Sequence, residues 1–465
     1  MSPLIRLRHF TPKQHVGREN LVSHLHRMLS TSLKEVHETL NPVGHDSVVV
    51  PDPTPVTYLA KAVGSEETYW KNIPRWGGIS TSQFLSHKWQ MSNTVQSEKA
   101  LCEFLAAVLP QDIPPQWDME EHLRITDIHT PEKFIARVKE GIKRAPMAVR
   151  LSPPILSVIN WKDPINDPVR RQFIPLASPL NIDHPMAVLD HMQENKYSPV
   201  PGLIHRYPDR ALFFALVGAG TDTIKKQRFL PLIKKWEPRF EYIEKTPSLE
   251  DIVVSGGDTY LLDGPQIRHI GERLLRIPHI RRFRFASKGL SVSPSRLLDP
   301  DDDWVDTITE LKHRARKLGK HVCIHTHFNS VNEISWVTRR GAQRLYEAGV
   351  TVRNQSVLLN GVNNSPEAMC ALVHELGNMN IQPYYVYQGD VVPGAEDLRT
   401  PMQHSLDLER AVRGQIAGFL VPNFILDLPA EGGLKGEPVE YEYWDPLWSL
   451  SKEGQAEVLE RCRKD

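Results

Sequence analysis

Residues 252–286 read IVVSGGDTYLLDGPQIRHIGERLLRIPHIRRFRFA, and this stretch decides the fold class. A short apolar run, Ile252–Ser255, leads through a paired-glycine turn into a segment, Gln266–Arg276, whose apolar residues recur at helical spacing. A second apolar run, Arg281–Ala286, follows this segment. A strand, a helix and another strand in that order predict a βαβ unit with two parallel strands.

The same alternation continues on both sides of this unit. Further strands are predicted at Ala211–Val217, Val322–His325, Val350–Leu358 and Pro383–Tyr387, and further helices at Asp303–Leu318 and Ser365–Met379. Six strands spaced by about 30–40 residues predict a parallel sheet, but they fall short of the eight strands of a full TIM barrel. The sequence therefore predicts an α/β fold, a partial (β/α)6 TIM-like barrel, with its chemistry at the carboxyl ends of the strands.

The length of the chain, 465 residues, predicts two or three structural units at roughly 100–200 residues per domain. We predict a targeting or disordered segment at 1–40, a helical N-terminal region at 41–197, the barrel at 198–390 and a C-terminal extension at 391–465. The N-terminal region is rich in proline, so short helices are expected there. Its packing anchors are predicted to be Trp70, Trp76 and Trp89.

The charge balance limits the choice of partners. Lys+Arg and Asp+Glu both number 56, so the net charge is zero, and no nucleic-acid partner is expected. No apolar run approaches the ~18 residues of a spanning helix, so no membrane partner is expected either. The first 30 residues contain one acid, Glu19, against five basic residues, Arg6, Arg8, Lys13, Arg18 and Arg27. This composition is typical of mitochondrial transit peptides, with a plain surface helix as the alternative, so a mitochondrial or cytoplasmic location is predicted.

Two motifs precede or follow predicted strands and carry groups suited to ligands. In Ser255-Gly256-Gly257-Asp258 the glycines let the backbone approach a ligand and Asp258 can pair with an ammonium group, although a plain turn explains the same residues. In residues 198–210, SPVPGLIHRYPDR, the guanidinium groups of Arg206 and Arg210 suit a phosphate and Tyr207 offers a stacking surface. A surface turn with salt bridges is the alternative for this second motif.

Three charged residues follow the last predicted strands. Asp390 follows Pro383–Tyr387 and Asp427 follows Phe424–Leu426, so the two carboxylates can hold a substrate ammonium group, with cap or turn roles as the alternative. Lys435 lies on a glycine-rich loop and can form a Schiff base with a cofactor aldehyde, although an isolated lysine is usually only solvated.

Histidine and cysteine residues give little support for a metal site. His325 and His327 have the spacing of a ligand pair, but no third ligand is evident nearby, so we predict a polar pocket lining and no metal ligands. The four cysteines are Cys102, Cys323, Cys370 and Cys462, and no two of them are close in sequence. Free thiols in a reducing compartment are the expectation for such a set.

Taken together, these segments resemble the lysine 2,3-aminomutase family. The matching stretches, which cover about half of the chain in consistent order, are SPVPGLIHRYPDR, VVSGGD, HTHFNSVNEIS, AGVTVRNQSVLLNGVNN, PYYVYQGD, LRTP and DLP…GG…K. The resemblance implies a radical-SAM-type barrel and an isomerase that moves the 2-amino group of L-lysine to C3. It also implies three cofactors, which are S-adenosyl-L-methionine (SAM), pyridoxal phosphate and a [4Fe–4S] cluster.

The resemblance assigns roles to the candidate residues. It makes Lys435 the pyridoxal lysine, within a pyridoxal-binding extension at 391–465, and makes Asp390 and Asp427 the groups that hold the distal amine of the substrate. Around the pyridoxal phosphate it places Arg206, Tyr207 and Arg210. Around SAM it places Ser255, Gly256, Gly257, Asp258, His327 and Gln355. The implied partner is a small amino acid, and a homo-oligomer is left open.

The chain departs from the family pattern in three places. The cluster needs thiolates at C-x3-C-x2-C spacing, but residues 216–221 read LVGAGT, as though roughly 15 residues had been removed from a loop. The family's arginine for the substrate carboxylate, which follows the cysteines, is missing with them. The lysine loop reads AEGGLK, which weakens the assignment of Lys435, and residues 394–398, GAEDL, replace a stretch where the family tends to carry a histidine and an aromatic residue.

These departures predict an aminomutase-like chain that cannot bind the cluster and is therefore inactive as written. A non-catalytic pyridoxal- or SAM-binding homologue is an alternative, and so is a lyase or racemase that uses Lys435 without a radical. A misplaced splice junction in the coding sequence explains the missing loop equally well. The substrate is left open between lysine, glutamate and another amino acid, although Asp390 and Asp427 favour one with a distal amine.

Overall fold

An eight-stranded sheet forms the centre of the protein. The strands are β1 (Leu203–Tyr207), β2 (Arg210–Phe214), β3 (Leu216–Val217), β4 (Leu230–Pro231), β5 (Asp251–Ser255), β6 (Arg282–Ala286), β7 (His321–Thr326), β8 (Thr351–Leu358), β9 (Ile381–Gln388) and β10 (Asn423–Ile425). Their order in the sheet is β1-β2-β5-β6-β7-β8-β9-β10. All neighbours in the sheet are parallel except β1, which is antiparallel to β2. Strands β3 and β4 form a separate antiparallel pair.

This computed structural model describes residues 67–117, 125–145, 148–177, 183–184, 187–190, 194–217, 230–231 and 235–426. The predicted segment at 1–40 and the residues Asp427, Lys435 and Cys462 lie outside these ranges. All the described residues belong to one compact unit. Within the described ranges, no helix is long and apolar enough to cross a membrane.

Helices precede the sheet in the N-terminal region and follow most of its parallel strands. They are α1 (Thr81–Leu85), α2 (His87–Ser92), α3 (Glu98–Val108), α4 (Pro131–Arg144), α5 (Pro153–Val158), α6 (Pro168–Phe173), α7 (Glu237–Glu244), α8 (Gly264–Arg276), α9 (Gly289–Val292), α10 (Trp304–Lys317), α11 (Trp336–Glu347), α12 (Pro366–Asn378) and α13 (Met402–Arg413). Short 3-10 turns lie at Tyr69–Asn72, Pro74–Trp76, Glu194–Tyr197, Thr259–Leu261, Pro294–Leu297, Val331–Glu333, Glu396–Leu398 and Gly418–Leu420.

The predicted α/β class is confirmed, and so are five of the six predicted strands, which are β5 to β9. Helices α8, α10 and α12 match the predicted segments to within two residues. The sheet holds one parallel strand more than the predicted six, because β10 pairs in register with β9. The antiparallel strand β1 was missed, since a Pro-Asp turn at Pro208 and Asp209 joins it directly to β2.

The two faces of the sheet differ in chemistry. Alternate residues of each strand, such as Ile252, Phe283 and Ile324, are buried against the helices in one continuous apolar cluster. The residues between them point to the opposite face, which we call the inner face and which carries Arg284, Cys323, His325, Arg353 and Tyr385. Because side chains alternate along a strand, one face builds the core while the other is left for polar groups.

The N-terminal helices have a core of their own. Trp70 and Trp76 are fully buried, as predicted, and the Trp70 ring stacks on Phe84 with centroids 4.2 Å apart. Trp89 is half-buried against Trp76. Val337, on α11, is buried in the same cluster, so this core extends to the helices of the barrel. The predicted domain boundaries at residues 41, 198 and 391 stay predictions.

The strand predicted at Ala211–Val217 is wrong in its extent, because it is divided at Ala215. The Ala215 amide donates to the Ser255 carbonyl, but its own carbonyl accepts from the indole nitrogen of Trp236 at 2.9 Å. The carbonyl of Phe214 accepts from the guanidinium of Arg239 at 2.6 Å, and Arg239 also donates to the Pro201 carbonyl at 2.8 Å. These side chains close the end of β2, and β3 then leaves the sheet to pair with β4.

We expect Arg239→Met to lower the free energy of unfolding by about 2–4 kcal/mol. Arg239 is 1% exposed, and its loss removes two hydrogen bonds from a charged donor to the partly buried carbonyls of Phe214 and Pro201, each worth about 1–2 kcal/mol. The matched control is Arg276→Met, where the side chain is 71% exposed and forms a surface ion pair with Glu272, so the expected change is below about 1 kcal/mol. Urea unfolding measures both, and equal losses in the two variants would contradict this role of Arg239.

Candidate active site at the carboxyl ends of the strands

The paired glycines after β5 occupy backbone conformations that other residues rarely adopt. The φ angles of Gly256 and Gly257 are 84° and 69°, in the left-handed region. A Cβ atom on Gly256 would lie 2.7 Å from the Cβ atom of Phe214 and 3.0 Å from the Leu216 carbonyl oxygen. Glycine is therefore needed for the chain to leave Ser255 close beside the end of β2, whatever ligand this edge binds.

Asp258 uses its carboxylate to join two loops of the sheet edge. One oxygen accepts from the Tyr260 amide at 2.8 Å and caps the turn Thr259–Leu261. The other accepts from the Lys288 amide at 2.9 Å, just after β6. Burial raises the pKa of Asp258, although these hydrogen bonds oppose that shift. The predicted contact of Asp258 with the methionine part of SAM stays a prediction.

Glu333 is the most densely hydrogen-bonded carboxylate at this edge, and sequence reasoning missed it. It is 1% exposed and lies 3.1 Å from the ammonium nitrogen of Lys288. Its donors are Ser291, the backbone amides of Asn329 and Ser330, and Gln172 from α6. Burial opposes the ionisation of Glu333, but Lys288 and these hydrogen bonds outweigh it and lower the pKa.

His327 lies in the loop that Glu333 holds. Lys288 donates to the His327 carbonyl at 3.0 Å, and Asn329 fixes the next strand by accepting from the Val357 amide at 2.9 Å. Burial first, and then the charge of Lys288, lower the pKa of His327 to about 3. His327 is therefore neutral near physiological pH. Gln355, the other predicted lining residue, lies half-buried on the inner face of β8.

The residues predicted to surround pyridoxal phosphate lie at the opposite, amino-terminal edge of the sheet. Arg210 begins β2 and is the register partner of Asp251, the first residue of β5. The Tyr207 ring lies 4.0 Å from the guanidinium of Arg210 and 5.9 Å from that of Arg206. The structure thus brings these three residues together. It separates them from Ser255 by the length of a strand, roughly 13 Å at about 3.3 Å per residue.

Between these edges, the inner face carries polar residues that sequence reasoning did not single out. Arg284 forms a salt bridge with Asp251 at 3.1 Å, and Arg353 lies 5.8 Å from the Tyr384 ring. Tyr384 and Tyr385 stack side by side because the register between β8 and β9 shifts there. The alternation of charged and apolar residues in RRFRFA was the available signal for Arg284.

The predicted substrate carboxylates fall at the end of β9 and beyond β10. Asp390 is exposed directly after β9. Strands β9 and β10 run parallel, with Phe424 opposite Val386, so the chain leaves both at the same edge. Asp427 and Lys435 lie outside the described residues.

Residues 394–398, which depart from the family pattern, form a loop in which the Gly394 amide donates to Asp183 at 2.7 Å.

The described cysteines do not form a cluster site. Cys102 is in α3, Cys323 in β7 and Cys370 in α12, so they lie on three separate elements, as predicted for the last two. Burial raises the pKa of each thiol, that of Cys323 to about 11, which disfavours the thiolates that iron requires. Over the described part of the chain, no three His, Cys, Asp or Glu side chains are grouped as metal ligands.

Comparisons with known proteins reveal close relatives. An L-lysine 2,3-aminomutase from Clostridium subterminale is 34% identical over 337 residues, which are 68% of this chain and 76% of that protein. A glutamate 2,3-aminomutase from Clostridioides difficile is 29% identical over 331 residues, 68% of this chain and 75% of that protein. No family model matches the chain. A solved structure of a radical SAM methyltransferase from Sphaerobacter thermophilus aligns with 48% of this chain and 68% of that protein, at 16% identity and with a TM-score of 0.30.

We expect Glu333→Gln to lower the free energy of unfolding by about 3 kcal/mol, because it leaves the ammonium group of Lys288 without a counter-charge in a largely buried position. Glu310→Gln is the matched control, since Glu310 is 49% exposed and pairs with Arg268 on the surface. Its expected cost is below about 1 kcal/mol. Urea unfolding of both variants checks the difference, and a loss in Glu333→Gln no larger than in the control counts against this role.

Proposed function

Because the chain belongs to the lysine 2,3-aminomutase family, as its motifs predicted, we propose that it keeps the cofactor and substrate pocket of an aminomutase without the iron–sulfur centre. The observation that carries this proposal is the pairing of β9 with β10. The chain leaves both strands at one edge, where Asp390 follows β9 and Asp427 comes two residues after β10 in sequence. Two carboxylates there would hold the distal ammonium group of an amino acid such as L-lysine.

Pyridoxal phosphate fits the residues that the chain offers. When bound, this cofactor supplies an aldehyde that takes up an amino group and a ring that accepts electrons. Lys435 would attach it, and Arg206, Tyr207 and Arg210 would bind its phosphate. The cation–ring contacts at Tyr207 support this assignment, since both guanidinium groups already lie against one aromatic ring.

SAM would lie along the edge made by Ser255, Gly256 and Gly257. The left-handed glycines bring the backbone after Ser255 close to the end of β2, and the Asp258 carboxylate is fixed by the Lys288 amide. Neutral His327 would contribute a hydrogen bond without a positive charge, which suits a neighbour of the sulfonium group. Gln355 would line the same pocket.

The [4Fe–4S] cluster does not fit this chain. Residues 216–221 contain no cysteine, and the described thiols lie on three different elements. The cluster needs three thiolates from one compact motif, so the chain as written lacks the ligands for it. The absence equally supports a non-catalytic homologue that binds pyridoxal phosphate or SAM, which is the second candidate function.

Lysine is preferred to glutamate as the bound amino acid on grounds of charge. One relative is a glutamate 2,3-aminomutase, so the family includes both substrates. A second carboxylate on the ligand would face Asp390 and Asp427 at unfavourable like-charge distance, whereas an ammonium group would pair with them. Lysine should therefore bind more tightly than glutamate to the protein loaded with pyridoxal phosphate.

We expect anaerobic reconstitution of the full chain with iron and sulfide to yield no stable four-iron centre, as measured by iron content and by electron paramagnetic resonance after reduction. A variant in which Cys102, Cys323 and Cys370 are all replaced by serine is the control for adventitious iron. It should bind the same small amount. A four-iron centre in the natural chain that this variant loses would contradict the proposal.

We expect pyridoxal phosphate to attach covalently to Lys435, because it is the lysine on the glycine-rich loop. Borohydride reduction followed by peptide mass spectrometry locates the adduct, and absorbance follows its formation. The adduct should disappear in Lys435→Ala and persist in Lys245→Ala, which removes a lysine with a 77% exposed side chain on the surface. Equal labelling of the natural chain and Lys435→Ala would refute this attachment.

A further inference from the structure

Three cationic or hydrogen-bonding side chains lie on neighbouring strands of the inner face, where the proposed function assigns no role to them. Arg284 lies on β6, His325 on β7 and Arg353 on β8. His325 is the register partner of Arg353, and Arg284 is the partner of Cys323, two residues before His325. Because residues two apart share a face of the sheet, the three side chains point to the same side.

The guanidinium group of Arg353 has no carboxylate partner within the described residues. Its Nε atom donates to the side-chain carbonyl of Gln382 at 3.1 Å, and Nη1 lies 3.8 Å from the sulfur of Cys323. Arg284 does have a partner, with Nη2 at 3.1 Å from Asp251, but its Nε atom has no hydrogen-bond acceptor. Both arginines therefore retain donors that protein groups do not use.

His325 adds a buried ring nitrogen without a hydrogen-bond partner. It is 3% exposed, and its Nε2 atom has no hydrogen-bond partner. Its ring lies 5.4 Å from that of Tyr384, so one side of it faces an aromatic surface. Burial first, and then the charges of Arg284 and Arg353, lower its pKa to about 3, so the ring is neutral and one nitrogen carries a hydrogen. Buried polar atoms are nearly always paired, so an unpaired nitrogen beside two arginines indicates a missing ligand.

The charge balance of this region is positive. Arg210, at the amino edge, also acts on the pKa values of His325, Asp251 and Tyr385. Three guanidinium groups thus surround the inner face, and Asp251 is the one carboxylate whose contact with them is seen in the described residues. Such an excess of planar, forked donors suits a tetrahedral oxyanion, because each fork can hold two of its oxygens.

We infer that Arg284, Arg353 and His325 form a binding site for a phosphate dianion on the inner face of the sheet. The phosphate is either inorganic phosphate or the phosphate ester of a cofactor such as pyridoxal phosphate. The site does not depend on Lys435, Asp390 or Asp427, so it can be correct even if the proposed function is not. It adds binding residues beyond Arg206, Tyr207 and Arg210.

The first test is calorimetric titration of the full chain with inorganic phosphate. The natural chain should bind phosphate saturably with one site. Arg353→Met should weaken binding by about tenfold or more, since one charge-assisted contact is worth about that factor. His325→Leu should also weaken it, whereas His325→Gln, which keeps a donor, should restore part of the affinity. Arg314→Met, which removes a surface arginine paired with Glu272, should bind as the natural chain does.

The second test separates the two sources of phosphate. If the cofactor's ester occupies the site, pyridoxal phosphate should displace inorganic phosphate while pyridoxal without phosphate should not. In Lys435→Ala the covalent adduct should be lost while binding of inorganic phosphate is unchanged, which separates this site from the proposed function. Circular dichroism confirms that each variant is folded, and Arg353→Gln replaces Arg353→Met if the latter is not. The inference is overturned if the folded natural chain shows no saturable phosphate binding. It is also overturned if the Arg353 variant and His325→Leu bind phosphate with the same affinity as the natural chain.

Discussion

The buried carboxylate of Glu333 is the interaction on which the candidate site depends. It holds Lys288 after β6, the Asn329–Ser330 backbone after β7 and Gln172 from the N-terminal helices in one hydrogen-bonded group. Three pieces of chain that are far apart in sequence are therefore fixed relative to one another at the carboxyl edge of the sheet. The same group fixes the backbone of His327, because the His327 carbonyl accepts a hydrogen bond from Lys288.

The loss of the cysteine motif affects chemistry and not the core. A continuous apolar cluster, with residues from strands between β2 and β9, packs the sheet against its helices. The end of β2, where the family carries its cysteines, is held by Trp236 and Arg239, which bind the carbonyls of Ala215 and Phe214. A chain of the aminomutase family can therefore keep its α/β sheet and core without the cysteine motif.

Sequence patterns predicted the parts of this protein that depend on local periodicity. Strands β5 to β9 and helices α8, α10 and α12 follow from periodic apolar runs, and the left-handed glycines after Ser255 follow from the Gly-Gly pair. The division at Ala215 could not be predicted, because an indole from a later segment takes its carbonyl. Glu333, Arg284 and Arg353 were missed for the same reason, whereas His325 was predicted to line a polar pocket. These side chains become neighbours only when strands that are distant in sequence pair in the sheet.

We propose that this chain has the pocket of an aminomutase without its radical generator. The most direct measurement is an anaerobic incubation of the iron- and sulfide-treated protein with SAM, a strong reductant, pyridoxal phosphate and L-lysine, with 5′-deoxyadenosine and β-lysine measured by chromatography. We expect that neither 5′-deoxyadenosine nor β-lysine exceeds the level seen without protein. Formation of 5′-deoxyadenosine that depends on the protein, together with β-lysine, would contradict it.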